Sequence, residues 1–253
     1  MIPFGWPEAT LIVGAYLLGS VPHLYLWGRL KGVDLSRCGS RNVGAINAYQ
    51  MLGPLAGVVG GFGDAFKGAI PVLLGIYLGF DLVIIAAAGL AAIAGQMWPI
   101  FLKFKDGGRG MVTSFGVAGA IVPVAAALVL SIGVIGMALP AISILLSQDV
   151  PLRERIRFIR PRTRSVPLGW LIAWASLPAL SWYFGGWYID PSLTLALIFA
   201  TVFLLLVLRR LTAGLRQDLA RAEDKKVVLI NRLLYDRSQV HEEVAIPEGN
   251  KSP

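Results

Sequence analysis

The sequence predicts an all-α, polytopic integral membrane protein with about seven transmembrane helices, an outside N-terminus and a cytoplasmic C-terminus. The first observation is composition: 56% of the 253 residues are hydrophobic, only 15% are charged, and mean hydropathy is +0.68. Soluble domains are about 45–50% apolar and about 25% charged. The second is that apolar runs of spanning length recur. The third is that Lys and Arg concentrate between these runs.

Composition also excludes several classes of protein and site. Disorder requires low hydrophobicity, which this chain lacks. One cysteine excludes a disulfide scaffold and a Cys-based metal site, and two histidines exclude most His-ligated metals, so we expect no metal or cofactor. The net charge of +8 does not indicate a nucleic-acid partner, because the basic residues lie between apolar runs, as in cytoplasmic loops of membrane proteins.

The spans follow from the apolar runs, since each crossing needs about 20 mostly apolar residues. Five runs predict one span each: 7–30, 51–80 (interrupted by two charged residues), 82–102, 167–188 and 192–208. The remaining run, 111–147, is too long for one span. We therefore expect two short helices there, with a turn near Ser131–Gly133.

Loop charges set the predicted orientation. With seven spans, loops 31–50, 103–110 and 148–166 fall on one side, together with the start of the tail after Leu208. All four segments are basic, whereas the opposite side carries acidic residues and no Lys or Arg. The positive-inside rule then places the basic side in the cytoplasm and the N-terminus outside.

The chain thus divides into three predicted parts. Residues 1–210 form the transmembrane domain. Residues 211–237 interleave apolar and basic side chains, which predicts an amphipathic helix on the anionic cytoplasmic leaflet. Residues 238–253 are expected to be disordered. No internal repeat is present, which disfavours a transporter built from inverted repeats.

The first basic loop contains a candidate anion site. Residues 38–47 read CGSRNVGAIN, with Ser40, Asn42 and Asn47 as neutral donors and Arg41 as a charge. Glycines let backbone N–H groups turn inward around an anion, as in backbone nests. A tight interfacial turn with polar caps explains the same composition, so both interpretations stay open.

A second candidate lies before the fourth span, where residues 104–110 read FKDGGRG. Glycines, the cations Lys105 and Arg109, and a following helix N-terminus favour a phosphate. The spacing is not that of a Walker A loop. The alternative is a flexible basic hairpin at the membrane surface.

Asp64 and Lys67 form the third feature. They lie three residues apart inside an apolar run and so share one face of a helix. Charged residues within a membrane are costly and indicate function by default. The alternative is a buried ion pair that joins helices. His23, in the first span, is interpreted as a packed or interfacial residue.

Taken together and in order, these segments resemble the bacterial acyl-phosphate-dependent glycerol-3-phosphate acyltransferases. The resemblance covers about residues 10–170 well. It is carried by five pieces of sequence: GSVP at 19–22, GSRNVGAIN at 39–47, DAFKG at 64–68, PIFLKFK at 99–105 with GGRG at 107–110, and Arg162 with Ser165 as an R-x-x-S motif.

The resemblance implies a reaction. A fatty acyl chain arrives as acyl phosphate, a mixed anhydride, and the 1-hydroxyl of glycerol 3-phosphate attacks its carbonyl. The products are lysophosphatidate, an early intermediate of phospholipid synthesis, and inorganic phosphate. Because the donor is already activated, no covalent enzyme intermediate is required. The partners implied are these two substrates and membrane lipids, in the bacterial inner membrane.

The resemblance also implies roles for residues. It implies a catalytic set of Ser40, Asn42, Lys67 and Arg162. It further implies a phosphate-binding set of Asn47, Lys105, Gly107, Gly108, Arg109, Gly110 and Ser165. Asp64 is a further candidate of either kind.

The chain departs from the family pattern at Gln50, Gln96, Arg209 and Thr212. The family carries a histidine where Arg209 stands, so Arg209 is a candidate for supplying a cation instead. These departures leave a second hypothesis open: a catalytically degenerate relative that binds a phosphorylated lipid or a partner enzyme.

Overall fold

The computed structural model describes residues 5–105, 107–146, 166–186, 189–190, 192–215, 219–220 and 225–235. In this part of the chain every regular element is a helix, as the sequence predicted. The described residues fall into two compact units, one up to Ile121 and one from Val122 onward. The candidate cleft belongs entirely to the first unit.

The first unit contains six α-helices and one short 3₁₀ turn. Their bounds are α1 Trp6–Ser20, α2 His23–Leu30, α3 Ala45–Leu52, α4 Pro54–Tyr77, α5 Leu82–Met97, the 3₁₀ turn Ile100–Leu102 and α6 Met111–Ile121. α5 packs on α1, α4 packs on α6, and α3 packs on α4. The helices therefore bring α1, α4 and α5 into contact around the polar residues of the middle spans.

The first predicted span is two helices rather than one. α1 ends at Ser20, and Pro22 precedes the start of α2 at His23. Proline lacks an N–H and disfavours helical backbone in the residue before it, and Val21 is extended (φ −62°, ψ 113°). The break turns the carbonyl of Val21 out of the helical ladder, and it places His23 in the first turn of a new helix.

Glycines let the helices of this unit approach at backbone distance. A Cβ at Gly19 would overlap the carbonyl of Ala92 on α5, and one at Gly116 would overlap the carbonyl of Ala65 on α4. Lipid provides no hydrophobic drive between helices, so close van der Waals packing through small residues holds such bundles together. Larger residues at Gly19 or Gly116 would separate α1 from α5, or α4 from α6.

The second unit contains the remaining helices. They are α7 Pro123–Leu146, α8 Val166–Phe184, α9 Leu193–Thr212 and α10 Lys225–Tyr235. α8 packs against both α7 and α9, and α10 packs against α8 and α9. α10 lies within the predicted amphipathic segment 211–237, with Val228 and Arg232 buried. The boundaries of the three predicted parts stay predictions, and the tail 238–253 lies outside the described residues.

The predicted turn near Ser131–Gly133 is wrong. α7 continues through this segment, and the helix break falls earlier, between Ile121 and Pro123. Pro123 is compatible with a first helical position but cannot continue a helix, which explains a new start there. Gly133 has a packing role instead, since a Cβ there would overlap the ring of Trp170 on α8.

Four stretches of the described chain are long and apolar enough to cross a membrane. They are Trp6–Leu30, Pro54–Tyr77, Leu82–Leu102 and Leu193–Thr212. Met111–Ile121 and Pro123–Gly136 are apolar but shorter. The count of seven spans and the orientation of the chain stay predictions.

Candidate functional site

A polar cleft opens in the first unit between α1, α2, α4, α5 and the segment 104–110, called here the glycine-rich loop. Its empty volume is about 240 Å³, part of it open to solvent. The lining residues are Ser20, Pro22, His23, Leu24, Val43, Asp64, Lys67, Gln96, Pro99, Leu102, Gly107 and Gly108. Among these, the titratable side chains are His23, Asp64 and Lys67.

Lys67 is the central cation of the cleft. Its Nζ donates to the backbone carbonyl of Val21 (2.5 Å), to Oε1 of Gln96 (2.8 Å) and to Oδ1 of Asp64 (3.2 Å). Lys67 is only 5% exposed and Asp64 only 3%. An ammonium has three donors, so these acceptors, from the α1–α2 break, α5 and α4, satisfy all of them. The sequence left two interpretations of Asp64 and Lys67 open, a functional pair and an ion pair that joins helices. The structure is compatible with both, because the pair contacts neighbouring segments and also lines the cleft.

Gln96 links this cation to the glycine-rich loop. Its side-chain oxygen accepts from Lys67, and its backbone carbonyl accepts the N–H of Gly108 (2.9 Å). Sequence reasoning did not assign Gln96 to the site. The available signal was a buried polar side chain near the end of an otherwise apolar span, which by default indicates function in membrane proteins.

His23 also lines the cleft, at the start of α2. Its Nε2 is 3.1 Å from the carbonyl oxygen of Gly60, and its Nδ1 is 3.8 Å from Oδ1 of Asp64. The sequence identified His23 as a packed or interfacial residue. The structure instead places its half-buried ring in the cleft, because Pro22 starts a new helix there. Within the described residues, no group of three or more His, Cys, Asp or Glu could hold a metal ion.

The glycine-rich loop packs tightly over the end of α5. A Cβ at Gly107 would overlap the carbonyl of Met97, and one at Gly108 would meet the side chain of Gln96 and the carbonyl of Val43. Gly110 has φ +75°, a left-handed backbone that favours glycine, and its carbonyl accepts from the Ser114 N–H (2.8 Å) in the first turn of α6.

The two cations of this loop differ in burial. Lys105 is exposed, whereas Arg109 is half-buried and has interactions of its own. Both belong to the segment that precedes α6, a helix whose dipole favours an anion at its N-terminal end. The loop thus combines close backbone approach with positive charge, and its assignment as a phosphate site stays a prediction.

Asn47 holds the first basic loop together. Its side-chain oxygen accepts the N–H of Ser40 (3.1 Å), and its side-chain nitrogen donates to the carbonyls of Leu35 (3.0 Å) and Cys38 (3.1 Å). Gly39 has φ +59°, and a Cβ there would overlap the Asn47 amide. Asn47 is 1% exposed. In this structure it therefore braces the loop rather than facing the cleft.

The side chains of Ser40 and Asn42 differ in their exposure to solvent. Ser40 is exposed at the tip of the braced loop. Asn42 is half-buried, and its side-chain Oδ1 is buried without a hydrogen-bond partner. A buried acceptor without a donor is unusual in folded proteins.

The start of the same loop is fixed by Asp34. Ser36 donates its hydroxyl (2.7 Å) and its N–H (3.1 Å) to Oδ1 of this carboxylate, and Arg29 and Arg37 lie 3.4 and 3.5 Å from Oδ2. The hydrogen bond from the Ser36 hydroxyl, together with the Ser36 amide and the two arginines, outweighs desolvation and lowers the pKa of Asp34.

The structure brings together some of the sequence-predicted site residues. Four line the cleft: Asp64, Lys67, Gly107 and Gly108. The first basic loop reaches the cleft through Val43, whereas Ser40, Asn42, Asn47, Lys105, Arg109 and Gly110 lie outside the lining set.

The other sequence-predicted candidates belong to the rest of the chain. Arg162 and Ser165 lie outside the described residues. Arg209 belongs to the second unit, where it is buried in the last turn of α9.

Comparisons with known proteins agree on one family. A family model described as glycerol-3-phosphate acyltransferase matches residues 9–217. The chain is 34% identical over 229 residues to glycerol-3-phosphate acyltransferase 4 of Dehalococcoides mccartyi (strain CBDB1), covering 90% of this chain and 88% of that relative. It is 47% identical over 118 residues to the glycerol-3-phosphate acyltransferase of Geobacter metallireducens (strain ATCC 53774 / DSM 7210 / GS-15), covering 47% of this chain and 60% of the relative.

The fold is also similar to solved structures. PlsY, an integral membrane glycerol 3-phosphate acyltransferase, matches in its lysophosphatidic acid form with a TM-score of 0.64 and 28% identity. Its glycerol 3-phosphate form matches with a TM-score of 0.62 and 30% identity. Each match covers 85% of this chain and 91% of that one.

Proposed function

Because this chain belongs to the glycerol-3-phosphate acyltransferase family, we propose that it transfers a fatty acyl group from acyl phosphate to the 1-hydroxyl of glycerol 3-phosphate. The hydroxyl oxygen forms an ester bond to the acyl carbonyl carbon, and the bond from that carbon to the phosphate oxygen breaks. The products are lysophosphatidate and inorganic phosphate. The observation that carries the proposal is the cleft that the buried Lys67 lines together with Gly107 and Gly108.

The glycine-rich loop is the proposed site for a substrate phosphate. Gly107, Gly108 and Gly110 keep the backbone free of side chains, so that N–H groups and the start of α6 can approach an anion. Lys105 and Arg109 add positive charge beside the same loop. A phosphate bound here would lie over the cleft that Lys67 and Gln96 line.

The first basic loop is the proposed second contact. Ser40 and Asn42 orient a phosphate or a hydroxyl, and the unsatisfied Oδ1 of Asn42 supports such a contact. We assign Asn47 to the site through its bracing of this loop. Arg162 and Ser165 remain proposed contacts to phosphate, and Arg209 remains a proposed cation.

Catalysis in this proposal comes mainly from positioning and electrostatics. The donor is a mixed anhydride, so no nucleophilic side chain has to form an intermediate. Orientation of two bound reactants can supply about 7–11 kcal/mol of a barrier. Fixed positive charge stabilises the phosphate that leaves. The acyl chain lies between helices or in the bilayer.

We further propose that the cleft faces the cytoplasm in the bacterial inner membrane. The two loops that reach the cleft, at 31–44 and 98–110, both carry excess basic charge. Positive loops are retained in the cytoplasm. The phosphorylated acceptor is soluble in water and would therefore reach the cleft from the cytoplasmic side.

The test uses the full chain purified into lipid nanodiscs. Acyl phosphate and labelled glycerol 3-phosphate are added, and lysophosphatidate and phosphate release are measured, with acyl-CoA and acyl carrier protein as competing donors. Of the three donors, we expect only acyl phosphate to give lysophosphatidate. We expect the Ser40→Ala and Arg109→Ala variants to give none. Bound glycerol 3-phosphate without product from any donor would instead establish the degenerate, binding-only relative.

A further inference from the structure

The hydrogen bond to Gly60 determines which nitrogen of His23 is protonated. The carbonyl of Gly60 can only accept, so Nε2, 3.1 Å away, carries a proton and donates it. In the neutral ring the other nitrogen, Nδ1, then has a lone pair. Gly63, one turn along α4, leaves the space for the ring, because a Cβ there would collide with Nε2. The packing therefore holds His23 in the form that accepts a proton at Nδ1.

Nδ1 faces the one carboxylate of the cleft. It lies 3.8 Å from Oδ1 of Asp64, close enough for a protonated ring to be stabilised by the negative charge. Lys67 donates to the same oxygen and so fixes the carboxylate in place. No other described lining residue is charged or titratable. The side chain of His23 is 29% exposed, which leaves it accessible from the cleft.

We propose that His23 is the general base of the reaction, accepting at Nδ1 the proton of the acceptor hydroxyl, with Asp64 as the positioning residue that stabilises the imidazolium. The inference rests on the proposed function and adds a catalytic group to it. A positioned base contributes about 10²–10⁴-fold to a rate.

The step balances without a further reactant. The hydroxyl proton moves to Nδ1 as the hydroxyl oxygen attacks the acyl carbonyl carbon. The electron pair of the breaking carbon–oxygen bond leaves with the phosphate. The imidazolium then returns its proton to the departing phosphate, which regenerates neutral His23 beside Asp64.

The experiment compares His23→Gln with wild-type protein in nanodiscs at one fixed pH, in H₂O and in D₂O. Glutamine keeps a donor near the position of Nε2 for Gly60 but cannot act as a base. We expect kcat to fall by about 10²–10⁴-fold, with KM for glycerol 3-phosphate little changed. We also expect wild-type kcat to be lower in D₂O than in H₂O, because transfer of the hydroxyl proton to Nδ1 slows with deuterium, and the variant to lose this solvent isotope effect. His241→Gln, at the other histidine of the chain, is the matched control and should match wild type.

Several outcomes overturn the proposal. They are a His23→Gln kcat within threefold of wild type, a variant that keeps the solvent isotope effect, or wild-type kcat without any such effect. The last measurement needs no variant and so holds even where His23→Gln fails to fold. Failure of the proposed function looks different, since the wild-type protein itself would then give no lysophosphatidate from acyl phosphate.

Discussion

The ammonium of Lys67, on α4, donates a hydrogen bond of 2.5 Å to the backbone carbonyl of Val21, in the break between α1 and α2. Val21 offers this carbonyl because Pro22 interrupts the helix. The GSVP segment is thus connected to the DAFKG segment by one contact, although 46 positions separate the two residues. This contact fixes Lys67, a lining residue of the cleft, to the break between α1 and α2.

Replacing Lys67 with methionine should both destabilise the protein and abolish activity. Methionine removes the cation that neutralises the buried carboxylate of Asp64, and breaking one side of a buried pair costs about 3–5 kcal/mol. Thermal unfolding in detergent or nanodiscs measures the loss. Lys103→Met, at an exposed lysine, is the control and should leave the melting temperature unchanged.

The double variant Asp64→Asn with Lys67→Met isolates the charge effect. Without either charge, much of the lost stability should return, whereas activity should stay low. A double variant no more stable than Lys67→Met would contradict the assigned role of the pair.

Substitutions at Asn47 and Ser40 should differ in their effects on the free energy of unfolding. Asn47→Ala leaves the buried polar groups of the loop without their partner, which costs about 1–3 kcal/mol of unfolding free energy. Ser40→Ala changes an exposed side chain, so its effect on stability should be within about 0.5 kcal/mol. The Ser40 variant should nevertheless lose acyl transfer. Unfolding curves and product formation are compared in the same preparation, and equal stability losses would refute this division.

Gly107→Ala should impair the glycine-rich loop. The added Cβ overlaps the backbone carbonyl of Met97, so the loop must move, and a shift of about 1 Å in a substrate-positioning group can cost about 10²-fold in rate. We expect a raised KM for glycerol 3-phosphate together with a lower kcat. Gly119→Ala is the matched control, because nothing lies within 4 Å of a Cβ there. That change should retain activity and stabilise α6 by up to about 1 kcal/mol.

Asp34→Asn should show a stability effect that depends on pH. The pKa of Asp34 is lowered in the folded protein, so its carboxylate stabilises the fold fully above its unfolded value of about 3.9. This stabilisation is lost as pH falls through the lower pKa of the folded state. The melting temperature of wild type should exceed that of the variant at pH 6 to 7, and the gap should close below about pH 4. A gap that is as wide at pH 3, or one that Asp190→Asn reproduces, would contradict the assignment.

The class of protein and the family were both predictable from the sequence. Hydropathy is a local property, so long apolar runs and basic loops are readable without a fold, and the all-helical architecture and the resemblance to the acyltransferase family are confirmed. The turn near Ser131–Gly133 was wrong, because glycine there makes room for Trp170, and only the fold contains that contact. Asn47 was predicted to bind phosphate, yet its amide is occupied by the backbone of its own loop.

By itself the sequence determined that this chain is a helical membrane protein with glycine-rich basic loops. Composition and the order of apolar runs and basic loops along the chain are enough to show this. Only the tertiary structure decided that His23, Asp64, Lys67 and Gln96 meet in one cleft. They come from three separate spans, and their meeting depends on the break at Pro22 and on the close helix approach that glycines allow. Those are relations between distant backbone segments, which local patterns do not encode.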